Sequence, residues 1–326
     1  MGNANLSTLQ ARRFGAGSLT VTVTNSNPTV AEIDPSGGGS GTQIATTSIA
    51  AGTSQSLFLE FDPLAGGTTT VSASIPDFVT TTAASATTTV TTPTIILPGL
   101  SNVGSGLQTG TVTGQLGASA HGGVVVHLAS SDPSRVLLAP NATTAGTASI
   151  DVSVANGQVN FSFVVQGTDW VSGTSSAAKV VVTASAPGFL DDTATTSYAQ
   201  AALRLSGLVT SIASTAANDD FIVQVGLPNA NSTDLAALQV RRAGAVALSV
   251  TVTNSNPAAA ELDPNGGGAG AQLQTASIVA GQSGTPFNLA GGLEFDPLAA
   301  GTTTVSASIP EFIVTTAGSQ SVTVTP

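Results

Sequence analysis

The 326-residue chain has room for two or three domains, yet only 8% of its residues are charged, the net charge is −11 and 41% are hydrophobic. That apolar content excludes disorder, and one lysine with six arginines excludes a basic footprint for nucleic acid or anionic lipid. With no cysteine there is no disulfide, thiol nucleophile or thiolate metal site, and no apolar run reaches the roughly 18 residues of a membrane helix.

The start, MGNANLS, has no apolar signal core, so Met1-Gly2 reads as the start of a cut fragment whose leader lies far upstream. Leu19, Val21 and Val23 then alternate with threonines, the period-2 pattern of a strand with one buried face. The strand closes at Asn27-Pro28, where Asn initiates a turn and Pro cannot donate to a ladder. The glycine run Gly37–Gly39 precedes neither a helix nor a lysine, so it is a loop and not a phosphate cradle; Gly266–Gly268 is the same. Ala51-Gly52 predicts a tight reversal. Val71, Ala73 and Ile75 alternate before Pro76, and Phe78, like Phe189 later, is expected to fold back onto the end of the core.

These elements return. FDPLAGGTTTVSASI, from Phe61, recurs as FDPLAAGTTTVSASI from Phe295, and SLTVTVTNSNP, from Ser18, recurs as ALSVTVTNSNP from Ala247. A more distant copy lies between them. VVVHLASSDPSRVLL from Val124 lies over Leu19 onward, SVANG from Ser153 over Ser48 onward, and VTASAPGF from Val182 over Val71 onward. Short strands at this spacing predict an all-β chain of three tandem immunoglobulin-like β-sandwiches. Their bounds are 1–92, lacking its first strands, then 93–199, then 200–326, a close copy of the first. The alternation turns Val21, Val23, Val71, Ala73, Val126, Leu128, Val182, Val250, Val252, Val305 and Ala307 toward cores.

The middle and last copies open through TTPTIILPGLSN, from Thr91, and YAQAALRLSGLVT, from Tyr198. Neither holds a Gly/Ser-rich linker, so strand is expected to run into strand and give an extended rod. Asn3-Ala4-Asn5 aligns with Asn229-Ala230-Asn231, so the first copy has no counterpart of residues 201–228, including the strand Phe221–Val225. It should present an open apolar groove and an unpaired sheet edge, filled by upstream residues or by a strand of another molecule. One stretch is ambiguous. TDLAALQVRRAG, from Thr233, reads as a short helix or turn decorating the sandwich, with an irregular strand as the alternative.

The strings SDPSRVLL, SVANGQ and VTASAPGF resemble the bacterial Ig-like and Calx-β-like tandem repeats of very large secreted surface proteins, over nearly the whole chain. The resemblance implies an extracellular or cell-surface stalk, filament or fibre, with neighbouring modules or other copies of itself as partners. An adhesin module gripping a protein or glycan is the alternative it leaves open.

No catalytic set stands out. His121 and His127 lie in or beside a strand, His127 facing outward, and there is no G-x-S-x-G elbow and no G-x-x-x-x-G-K loop, so neither an enzyme nor a cofactor is expected. Carboxylates are the only plentiful hard ligands, which makes calcium the metal to consider. Glu60 and Asp62 share a strand face, as do Glu294 and Asp296; Asp191-Asp192 and Asp219-Asp220 are placed in loops near module ends. No D-x-[DN]-x-[DN]-G loop accompanies them, and solvated acidic residues are the bland reading. Trp170 reads as a partly buried loop anchor, or else as a platform for a sugar.

Overall fold

Threonine, serine and valine dominate the periodic segments, and these side chains favour a pleated, half-buried surface over a helix. The computed structural model accordingly builds the chain from short β-strands, with two three-residue 3₁₀ turns, and describes residues 6–36, 40–173 and 178–326. Met1–Asn5 and Gly37–Gly39, singled out above, lie outside the described residues. The chain divides into two compact units, Met1–Pro93 and Thr94–Pro326.

The first unit holds a four-stranded antiparallel sheet in the order Ile44–Ile49, Leu19–Asn25, Gly67–Ser74, Ser85–Val90. Facing it is a two-stranded ribbon, Ala31–Pro35 against Leu59–Pro63. The motif TNSNP has a structural cause. The buried Asn25 side chain donates to the carbonyls of Asn27 and Ala31 and accepts from the Thr69 hydroxyl, tying strand end, turn and neighbouring strand together. Asn254 repeats this with Asn256, Ala260 and Thr303.

The second unit contains two complete sandwiches. One core is built from Ile95 through Tyr198, the other from Ala201 through Val324 with Leu107 added. In the last copy the four-stranded sheet reappears as Leu273–Ile278, Leu248–Asn254, Gly301–Ser308, Ser319–Thr325, and gains Ser211–Ala213 in parallel at its edge. The ribbon reappears as Ala260–Pro264 with Leu293–Pro297, and here it continues into Asp219–Pro228, Ala202–Ser206 and Ile313–Val314. Only Gln200 and Ala201 separate the last strand of the middle copy, Asp192–Ala199, from the first of the last copy, so strand does run into strand here.

Of the eleven inward positions, Val21, Val126, Leu128, Val182, Val250, Val252, Val305 and Ala307 are buried. Val23, Val71 and Ala73 are only half-buried, although their counterparts Val252, Val305 and Ala307 are buried. The register is the same in both copies; what differs is the cover. Phe78 is likewise exposed, against expectation, while Phe189 and Phe312 pack against complete cores.

The stretch from Thr233 is not a helix. It forms Leu235–Leu238, paired with Asp219–Pro228, and then Val240–Arg241, paired antiparallel with Leu107–Gln108 of the middle copy. Local propensity was ambiguous, and a partner strand in the neighbouring sandwich decided it. Asp191-Asp192 and Asp219-Asp220 also depart from the loop expectation. Asp192 opens the strand Asp192–Ala199, directly after Asp191, and both Asp219 and Asp220 belong to Asp219–Pro228.

Candidate functional site

Two features distinguish this chain from a plain row of sandwiches: the open groove of the first unit and the junction inside the second.

The groove follows from sheet pairing. In the last copy Leu293–Pro297 is flanked on both sides, with Asp219–Pro228 beside it in the sheet, and Phe295 is fully buried. In the first copy Leu59–Pro63 pairs on one side only among the described residues, and the equivalent Phe61 is 37% exposed. A cavity of about 480 Å³ opens there, lined by Val21, Val23, Ile33, Phe61, Val71 and Ala73 among others. An apolar trough beside a strand with one ladder partner among the described residues is a template for an added strand.

The junction is built from the stretch whose fold was ambiguous. Val240–Arg241 extends the middle copy's sheet by one strand, so hydrogen bonding passes from one sandwich to the next. Around it lies a buried polar network. Gln239 accepts from the Gly104 amide at 2.8 Å and donates to the Asn102 carbonyl at 2.8 Å. Arg241, 2% exposed, donates to the carbonyls of Gly106 and Val246 at 3.0 Å each and to Asp169 at 2.6 Å. Arg242 reaches the other Asp169 oxygen at 3.2 Å. Gln108, also buried, accepts from the Ala243 amide and from Gln166 and donates to the Ala142 carbonyl. Gly106 is required here: its φ is 71°, and a Cβ would stand 2.3 Å from Arg241 Nη1. Burial alone would raise the Asp169 carboxyl, but the hydrogen bond and charge of Arg241, with Arg242 behind, hold it below the ordinary value. Desolvating two cations is repaid only where donors are matched, as they are here except at Arg242 Nε, which is buried without a partner.

Trp170 lies one residue beyond Asp169. It is partly buried and stacks on Tyr198 with ring centroids 5.6 Å apart and planes 15° apart, while the Tyr198 hydroxyl donates to the Thr168 carbonyl. The ring is thus an anchor below the junction. A wide groove of about 980 Å³ beside the junction is lined by no aromatic and no charged side chain.

The calcium candidates fall into two kinds. Asp192 and Asp219 accept from backbone amides, of Leu97 at 2.7 Å and Val209 at 2.9 Å, and so fasten the incoming chain to the strand they open. The others, apart from Asp191, belong to an acidic ladder that the spacing revealed only by half. Glu261 stands opposite Asp296, and Asp263 opposite Glu294, which in turn stands opposite Asp220. The first copy repeats it with Glu32 opposite Asp62 and Asp34 opposite Glu60. Glu32, Asp34, Glu261 and Asp263 were missed, although E-x-D is written at both ribbons. Asn218 donates to Asp263 and Glu294, and Asn265 to Asp220. Burial, then the charges of Asp263 and Glu261, hold the Asp296 carboxyl above its ordinary value. Among the described residues, no three His, Asp or Glu side chains converge closely enough to hold a metal ion. Asp191 is exposed.

His127 meets Asp151 across the ladder at 2.7 Å, with side chains 50% and 67% exposed, and Ser185 is its partner on the other side. Standing in water on an outer sheet face, the row lacks the enclosed, pre-aimed donors that acyl-transfer chemistry needs. His121 bonds the Gln158 carbonyl at 2.9 Å and packs edge-on to Phe189.

No family model matches the sequence, and no curated relative does. Among solved structures, domains 4 and 5 of the S-layer protein SbsC are similar at 15% identity and a TM-score of 0.22, over 55% of this chain and 76% of that one. CBD12 from CALX1.2 is similar at 10% identity and a TM-score of 0.26, over 66% and 79%. A tetra-tandem repeat in the extending region of a large adhesion protein is similar at 16% identity and a TM-score of 0.24, over 96% and 66%.

Proposed function

We propose that this chain is a structural repeat segment of an extracellular stalk, filament or cell-surface fibre. The observation that carries the reading is the junction between middle and last copies. Two sandwiches share a sheet across their boundary and hold it with a buried arginine, an arrangement that resists bending. A low-charge, threonine-rich, cysteine-free composition suits a long exported chain that folds without disulfides. The groove of the first unit is read as the receptor for a strand pair of the Ala202–Ser206 and Asp219–Pro228 kind, since that pair fills the same trough in the last copy. In this reading neither calcium nor any other cofactor is needed; the acidic ladder, half-buried in the last copy, lines up like charges that discourage side-to-side sticking. Immunogold labelling of intact source cells with an antibody to this chain tests the reading. Gold arrayed along surface projections is expected, and labelling confined to the cytoplasm would contradict it.

A further inference from the structure

Four of the chain's six arginines sit in two copies of one ribbon, Leu9-Gln10-Ala11-Arg12-Arg13-Phe14-Gly15 and Leu238-Gln239-Val240-Arg241-Arg242-Ala243-Gly244. The second is the ribbon docked on the middle sandwich. The first is held in its own module in the same way. The Arg12 amide donates to Thr53 and its carbonyl accepts from Gly52, as Arg241 does with Gln282 and Gly281. Arg12 Nε donates to the Gly17 carbonyl at 3.2 Å, as Arg241 Nε does to Val246 at 3.0 Å. Even the turn is shared, with φ of 79° at Gly15 and 74° at Gly244.

What differs is the other side. Gln239, Arg241 and Ala243 are buried against the middle sandwich; Gln10 and Arg13 are exposed, Arg12 is half-buried and Phe14 is 89% exposed. A phenylalanine this exposed, on a segment whose counterpart is buried, is poorly placed for solvent, and a guanidinium pair stands beside it. Together they are well placed for a surface with a carboxylate and free backbone groups.

We infer that the first ribbon is a docking element whose partner is another module of the middle kind, one presenting a Gly-Ser-Gly-Leu-Gln edge and an acidic residue as Ser105, Leu107, Gln108 and Asp169 do here. This rests on the structural-repeat reading and adds a rule of succession to it: the two kinds of module alternate, each copy of the first and last kind seated on a middle-kind module ahead of it. The chain cannot satisfy the ribbon itself, because the one such edge among the described residues is already taken by Val240–Arg241. Phe14 in place of Ala243 makes one demand. Ala145 closes on Gly244 in the existing junction, and the partner must be more open there.

The test compares two extensions of the full chain, read by amide hydrogen exchange. One repeats residues 94–228 ahead of Asn3, supplying a middle-kind module and the opening strands; the other repeats residues 200–228 alone. The longer extension should slow exchange at Ala11–Phe14 roughly tenfold or more, and Arg12→Ala or Asp169→Asn in the added module should abolish the gain. The shorter should slow exchange in Leu59–Pro63 and leave Ala11–Phe14 as fast as before. If the longer extension folds, with its added module protected, and Ala11–Phe14 still exchange freely, the docking inference is wrong. If Arg241→Ala in the unextended chain leaves exchange at Leu107–Gln108 unchanged, the arginine junction itself, and with it the structural reading, fails instead.

Discussion

Removing the Arg241 side chain tests the junction most economically. Arg241→Ala deletes three donated hydrogen bonds, two to carbonyls and one to Asp169, at a side chain that is 2% exposed. Hydrogen bonds from a charged donor contribute about 1.5–3 kcal/mol each, but two of these losses are cushioned. The Gly106 carbonyl keeps the Arg242 amide, and Asp169 keeps the Arg242 guanidinium and is itself 56% exposed. Adding the lost burial of the aliphatic stem, the cost is about 3 kcal/mol, with a spread of roughly 1 either way. Arg241→Lys retains charge without the planar fork and should recover less than half of it. The readout is the fluorescence of Trp170, the only tryptophan, followed through urea unfolding, since it adjoins Asp169 and stacks on Tyr198. The junction should also weaken in acid. The Asp169 carboxyl lies below its unfolded value, so its contribution is present above the unfolded pKa, near 3.8, and is lost as pH falls through the folded one. A change below about 0.5 kcal/mol for Arg241→Ala, or full recovery by lysine, would refute the argument, because either would mean that the buried fork contributes nothing specific.

Three further outcomes are expected. Repeating residues 200–228 ahead of Asn3 should stabilise the first unit by on the order of 2 kcal/mol, from covering Phe61, Val23, Val71 and Ala73; calorimetry showing no upward shift would remove the groove as a strand receptor. Asp296→Asn should stabilise the last copy by roughly 0.2–1 kcal/mol at neutral pH. Asp296 has its folded pKa raised, so its penalty is present above that pKa and fades as pH falls toward 3.8; an advantage for the asparagine variant that persists well below 3.8 would contradict this. Gly244→Ala should cost about 2–3 kcal/mol, from positive φ and a Cβ 2.3 Å from that of Ala145, whereas Gly15→Ala, with nothing within 4 Å, should cost only the roughly 1 kcal/mol of backbone strain; equal costs by denaturant melts would show that Ala145 does not close on the ribbon.

The period-2 alternation around Val21, Val126 and Val250 and the returning TNSNP and FDPLA strings made the sandwiches legible in the sequence, because a strand's inward face is fixed two residues at a time. The alternation turned Val23, Val71 and Ala73 toward a core, and their half-exposure departs from that; what the sequence did carry was the open groove, through the absent counterparts of residues 201–228. The stretch from Thr233 was not. Its leucines and alanines satisfy helical and extended spacing alike, and what makes Val240–Arg241 a strand is an edge more than 130 positions away at Leu107–Gln108. Gln239, Arg241 and Asp169 were missed for the same reason: a buried arginine looks like any surface arginine until its partner is in place. The repetition of Leu-Gln-x-Arg-Arg in both copies was the available signal. The acidic ladder was half seen, since pairs two apart on one strand can be read directly and their neighbours across the ribbon cannot.

If the middle and last copies move as one coupled body, residual dipolar couplings across residues 94–326 of the intact chain will show it. One alignment tensor should fit both sandwiches, and should split into two on Arg241→Ala with Asp169→Ala. Two independent tensors in the unmodified chain would contradict the account.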